Sequence, residues 1–156
     1  MLASRNCRRR RGAAMLEAAL VLPVLFMLIF GLVVVGMAVS CHQQVTLLAR
    51  EGARYASVHG AGHAKDTGGA EATEETVYSQ AILPKAVGLD PGQITSTVTW
   101  DHSSKSPIYQ PTGSSTLYRI NYVTVVVSYK WRAPSFPGSA ARTITLTSTS
   151  RMPLCN

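Results

Sequence analysis

Between Glu17 and His42 the 156-residue chain carries no charged side chain. The gap, Ala18 to Cys41, would make a helix about 36 Å long, enough to cross a hydrocarbon core of about 30 Å. It is too long for the usual apolar region of a cleaved secretory signal, and no small-residue cleavage pattern follows it. The nearest candidate, Ala38-Val39-Ser40, leads straight into further helical sequence. Cysteine is scarce. Cys7, Cys41 and Cys155 are too few and too scattered for a disulfide framework or a zinc site. An oxidising compartment would let Cys41 and Cys155 pair if both lay there. No spacing argument brings them together, so two unpaired thiols are expected.

The net charge of +7 suggests a nucleic-acid binder until its distribution is considered. Arg5 and Arg8 to Arg11 hold five of the 15 basic residues ahead of the apolar run. Without them the chain is close to balanced, with no basic stripe. The charge is a membrane-topology signal, and no nucleic-acid partner is expected. Chemistry is equally sparse. There is no Ser/His/Asp arrangement, P-loop, Cys/His metal set or patterned carboxylate pair. Asp66, Asp90 and Asp101 lie near polar loops without a patterned partner. Catalysis, a bound metal and any other cofactor are therefore not expected.

What is present falls into four stretches. Residues 1–12 are a basic leader closed by Gly12. Residues 13–57 read as one long helix, apolar at first and amphipathic from His42 onward. Pro23 removes a backbone donor inside it and should kink it, which a bilayer tolerates when neighbouring groups satisfy the freed carbonyl. Arginines before the span outnumber those just after it, which predicts a cytoplasmic N-terminus and an extracytoplasmic remainder. Ala14/Ala18 and Gly36/Ser40 are small pairs four apart, a spacing that allows close helix packing. Beyond the membrane, Leu47, Leu48 and Tyr55 can form an apolar side, and Glu51 can meet Arg54 and Tyr55. Gly52 alone weakens the helical pattern there.

Residues 58–73 have the composition of a flexible linker. Its glycines argue against a helix, so His59 and His63 need not share a face, and with Asp66 they fix no metal set. His42 and His102 are expected at the surface. Residues 74–156 read as an α+β head. Thr73 should cap a short helix over about Glu74–Leu83, with Glu74 and Glu75 in its first turn and Tyr78 and Ile82 on one face. Period-two alternation then marks three half-buried antiparallel strands. Their apolar sides are Ile94, Val98 and Trp100; Val123, Val125, Val127, Tyr129 and Trp131; and Ile144 and Leu146. Loops at 101–116 and 133–141 separate them. Such a sheet needs a cover, which the short helix or the upper half of the long one can supply.

Glu17 is the most informative residue. It lies five positions after Gly12 at the edge of the apolar run. A carboxylate there is costly to desolvate unless it is paired or stays hydrated at headgroup level. The order RGAAMLEAALVLPVLFMLIFGLVVVG, then AREGARYAS, resembles the TadE-like family, minor pilin-like proteins of the Tad (Flp-type) pilus system. Three features carry the resemblance: Arg-Gly before a glutamate, the ALVLPVL run with its proline, and the segment containing Arg50, Glu51, Gly52, Arg54 and Tyr55.

The resemblance implies a minor pilin or pseudopilin anchored in a bacterial inner membrane, contributing to pilus assembly and so to adhesion or biofilm formation. Its implied partners are the lipid bilayer, other Tad pilins, the inner-membrane platform and a prepilin peptidase. It implies cleavage between Gly12 and Ala13, and an assembly role for Glu17 facing a new N-terminal amine. Processed members commonly have an aromatic residue after that glutamate, where this chain has Ala18. Two other readings stand beside this one. In the first, the protein is uncleaved and its head is a binding or adhesion module, with strand edges at 93–100 or 142–151 open to a partner strand. In the second, Arg50, Glu51 and Arg54, which would otherwise stabilise the helix or dock the head, have only a solvated, structural role.

Overall fold

A computed structural model describes residues 6–101, 108–109, 119–134 and 142–155. Arg5, His102 and most of the two expected strand-connecting loops lie outside these residues, as do the side chains of Cys7 and Arg8 to Arg11. The architecture is α+β. Helix α1 spans Asn6–Val58 and runs through Pro23. The chain divides at Met37/Ala38 into two compact units, described in turn.

In the first unit, every residue from Gly12 to Met37 is exposed except Val34, which is half-buried. Leu16 and Met27 are each 76% exposed, although almost every side chain here is apolar. Water would not tolerate such a surface around a whole helix. Lipid would, because the helix satisfies its own backbone.

In the second unit, the upper part of α1 buries Val45, Leu48, Ala49, Gly52, Ala53 and Ala56. This i, i+3, i+4 series defines one helical face. The apolar side differs from the expected one. Leu48 is buried, whereas Leu47 is 52% exposed and Tyr55 is half-buried. Small residues dominate the inward face because the helix lies very close to what it covers. A Cβ on Gly52 would stand 3.2 Å from Val125 and 3.3 Å from Ile82.

The cover comes from both expected sources. Short helix α3 (Glu74–Val77) widens into a π-helical turn at Tyr78–Ile82 and then tightens into a 3-10 turn at Leu83–Lys85. Val77, Ala81 and Ile82 are all buried. The wide turn sets two consecutive side chains, Ala81 and Ile82, inward together. Thr73 caps α3. Its hydroxyl accepts from the Thr76 N–H, while Thr76 Oγ1 accepts from the Thr73 N–H at 2.8 Å.

Over residues 58–73 the structure departs from a featureless linker. Helix α2 occupies Ala61–Thr67 and includes Gly62; Gly60 sits at its N-cap and Gly68 at its C-cap with φ 69°. These last two bound the helix instead of breaking it, because a left-handed C-cap favours glycine.

Strands β1 (Ile94–Trp100), β4 (Tyr122–Arg132) and β5 (Thr143–Pro153) form an antiparallel sheet in the order β1-β4-β5. Strands β2 (Ile108–Tyr109) and β3 (Arg119–Ile120) pair separately. Val123, Val125, Val127, Tyr129 and Trp131 of the central strand are buried, as are Ile94 and Val98; Trp100 is half-buried. The third strand departs from expectation. Leu146 is only half-buried and Ile144 is 48% exposed. Residues Ser148 and Ser150 continue that face, so it has little apolar surface to bury. The chain end returns to the helix: Leu154 N–H donates to Asn121 O, and Cys155 N–H donates to Ser57 O at 3.0 Å.

Candidate functional site

The predicted functional residues occupy two places. The first is the start of the apolar helix. Gly12, Ala13, Ala14, Glu17 and Ala18 are all exposed on consecutive turns of α1. Nothing lies within 4 Å of where a Cβ on Gly12 would be. Gly36, in the same unit, and Ser40, in the next, are also exposed. This surface holds a glycine-to-alanine peptide, a carboxylate one and a half turns further on, and small residues that leave the backbone approachable.

The second place is the polar segment of α1 beyond the apolar run. Glu51 does not pair with Arg54 within its own helix. It accepts from Lys85 Nζ at 2.6 Å, across to the turn after the π-helix. That hydrogen bond, together with the nearby Lys85 and Arg54 charges, holds the Glu51 carboxyl below the usual carboxylate range against a smaller opposing effect of desolvation. Tyr55 donates its hydroxyl to Gln80 Oε1. The Tyr55 ring stacks on His59 at 4.0 Å between centroids, and His59 meets the edge of His63 at 4.7 Å. His59 Nδ1 lies 3.0 Å from Tyr55 O. A carbonyl only accepts, so that nitrogen carries the proton. Arg50 and Arg54 are exposed.

Glu51, Arg54, Tyr55, Val58, His59, Gln80, Ala81 and Lys85 line an open groove of about 320 Å³. Its polar groups clasp the π-helical turn to α1. It holds no nucleophile beside a base. The linker histidines do touch, contrary to the reading that their spacing need not bring them together. Among the described residues, no group of three or more His, Cys, Asp or Glu is gathered around a metal-sized space. Gln80 and Lys85 were not legible as part of this cluster. Lys85 lies 34 residues from Glu51, and no local spacing connects them.

The thiols of Cys41 and Cys155 are free. Cys155 is tethered at Ser57, and Cys41 lies 16 residues earlier on the same helix. That is about 24 Å along the axis, far beyond disulfide reach.

Among the described residues, one helix is long and apolar enough to cross a membrane. It carries a small α+β head, and together they define a membrane-anchored protein. Residues 12–54 match the family model described as TadE-like protein, a stretch that opens at Gly12, holds the first place and reaches Glu51 and Arg54 of the second. Over that stretch, which is less than half of the chain, the protein is similar to TadE-like proteins. No curated protein and no solved structure matches the chain.

Proposed function

We propose that the protein is a TadE-like minor pilin or pseudopilin. Its basic leader is cytoplasmic, its head is extracytoplasmic, and it contributes structurally to assembly of a Tad pilus in the bacterial inner membrane. The observation that supports this best is the arrangement at the start of the family match. Gly12 begins it, Glu17 follows five positions later, and both are exposed on the stretch of α1 before Ala38, whose apolar sides have no cover among the described residues. A peptidase working at the cytoplasmic surface would cut between Gly12 and Ala13 and create an amine on Ala13. Glu17 of a neighbouring pilin would pair with that amine. A carboxylate and an ammonium held together in low dielectric tolerate little misregister, so the pair would set the stagger of packed helices. Ala14, Ala18, Gly36 and Ser40 would let those helices approach. Other Tad pilins, the inner-membrane platform and a prepilin peptidase are the partners, and adhesion or biofilm formation is the outcome at the cell surface.

The test is the intact mass and N-terminal sequence of the membrane-extracted protein, with and without co-expressed prepilin peptidase. A peptidase-dependent start at Ala13 is expected. A start at Met1 or Leu2 in both samples refutes processing. Ala18, where processed pilins carry an aromatic residue, favours a second reading: an uncut anchored protein whose head binds a partner. Glu17→Ala separates the two. An anchor tolerates it, whereas an assembling pilin loses incorporation.

A further inference from the structure

Two ties fix the course of the central strand against the upper part of α1, within the second unit. The chain end joins Ser57 to the start of β4, through Cys155 N–H on Ser57 O and Leu154 N–H on Asn121 O. Five residues earlier on α1, a Cβ on Gly52 would meet Val125 Cγ1. Strand β4 therefore starts beside Ser57 and heads back toward the residues of α1 that precede Gly52. From Val125 to Arg132 it has about 23 Å of length left, whereas Gly52 to Cys41 is about 16 Å of helix. An inclination of up to about 45° still brings the end of β4 level with Cys41. Burial on α1 agrees. The inward face of Val45, Leu48 and Gly52 continues as half-buried Cys41 and Ala38, while Val39, Ser40 and His42 are exposed. Residues 38–41 are also the final turn of the charge-free run, where a helix leaves the hydrocarbon and meets the headgroups.

Three basic residues occupy this end of the sheet. Lys130 and Arg132 lie two apart on the outward face of β4 and are exposed. Exposed Arg142 stands beside them, its carbonyl accepting from the Ala133 N–H just past the last strand pair, Arg132 opposite Thr143. Among the described residues no carboxylate pairs with any of the three, and residues 135–141, which join the two strands, include no acid. Asp90, four residues before Ile94, is the acid at this end, and its Oδ1 accepts from the Gly92 N–H. The balance is positive. We propose that this end of the head docks on the headgroups of the leaflet from which α1 emerges, with Lys130, Arg132 and Arg142 binding anionic phospholipid. Basic side chains next to a span are drawn to anionic lipid within about a Debye length of the surface. Helix α1 already holds the head there, so the contact is intramolecular and orients the head instead of recruiting it. Such docking needs α1 in a bilayer and nothing of a pilus role.

The test uses the full chain in lipid nanodiscs, with Cys7, Cys41 and Cys155 changed to serine and one introduced cysteine carrying a fluorophore. Thr143→Cys places it beside Arg132, and Thr149→Cys places it on the same exposed face of β5, six residues further from that end. Lipids with a nitroxide quencher on the headgroup report proximity. In discs containing phosphatidylglycerol, the Thr143 probe should be quenched about twofold more strongly than in neutral phosphatidylcholine discs, and the Thr149 probe should be unchanged. High salt should abolish the difference. Changing Lys130, Arg132 and Arg142 to glutamine should abolish it too, whereas Arg132→Lys with Arg142→Lys should keep it, which separates lost charge from lost folding. The proposal is overturned if the Thr143 probe is quenched no more than the Thr149 probe, because the sheet end then faces away from lipid. Equal quenching at Thr143 in the two lipids also overturns it, as would be seen were the patch a site for an acidic protein, and so does a full response in the glutamine variant. A chain that does not enter the discs refutes the membrane anchor itself, and the docking with it.

Discussion

Replacing Gly52 is the most direct probe of how α1 seats the head. The added Cβ of Gly52→Ala would meet Val125 Cγ1 at 3.2 Å and Ile82 Cδ1 and Cγ1 at 3.3 Å. The gap is short by a few tenths of an ångström. Alanine gains about 1 kcal/mol over glycine in a helix interior. Ile82 can yield through its terminal carbon, whereas Val125 is β-branched and fixed in the central strand. These effects nearly offset, so Gly52→Ala should be close to neutral. Gly52→Leu has no such escape. Its extra carbons must displace buried Ile82 or the helix itself, at about 2–3 kcal/mol, or roughly 5–10 °C in Tm. Both tryptophans, Trp100 and Trp131, lie in the head. Urea unfolding of the detergent-solubilised full chain, followed by tryptophan fluorescence, therefore reads the head alone. Adding Ile82→Val removes Cδ1 and should recover part of the loss in a double-mutant cycle. If Gly52→Leu left the unfolding midpoint unchanged, the close approach of α1 to β4 would be wrong.

The remaining predictions use the same unfolding assay. Leu48→Ala should cost about 2–4 kcal/mol, because Leu48 is 1% exposed, while its neighbour Leu47, at 52%, should tolerate alanine. Thr73→Ala removes the hydroxyl that accepts from the Thr76 N–H, keeps the Thr73 N–H bond to Thr76 Oγ1, and should cost about 1 kcal/mol. Glu51 is held below the usual carboxylate range, chiefly by its hydrogen bond from Lys85. The unfolded chain therefore takes up the Glu51 proton first as pH falls. The contribution of the pair is whole above the ordinary carboxylate range and is lost as pH drops through the lowered value. The pair is partly exposed, so the effect is small. Glu51→Gln should lower Tm by about 2–4 °C at pH 7 and flatten the acid limb of the Tm–pH curve, with little difference left at the lowest pH.

The parts legible in the sequence depend on short-range pattern. The charge-free run Ala18–Cys41, the alternation over Val123–Trp131 and the Thr73 cap each follow from spacing within one element. The missed parts required distant residues. Leu47 and Leu48 look equivalent as letters, and only the direction of the sheet shows which one is inside. Gly60, Gly62 and Gly68 read as breakers, yet in the fold Gly60 and Gly68 stand at the two ends of α2 and Gly62 lies within it. Ile144 and Leu146 begin an apolar alternation that stops at Ser148, and the strand proved to be an edge with little to bury.

The sequence by itself determined that this protein has an apolar N-terminal helix fit for a bilayer, a Gly12–Glu17 junction at its start and an antiparallel head. Hydrophobic length and period are local quantities, set by backbone rise and side-chain direction. Tertiary structure alone decided that Gly52 is the point of closest approach and that Glu51 belongs with Lys85. It also kept Cys41 and Cys155 apart. Each of these follows from the packing of elements distant in the chain, where van der Waals contact and charge geometry act in three dimensions and leave no periodic trace in the sequence.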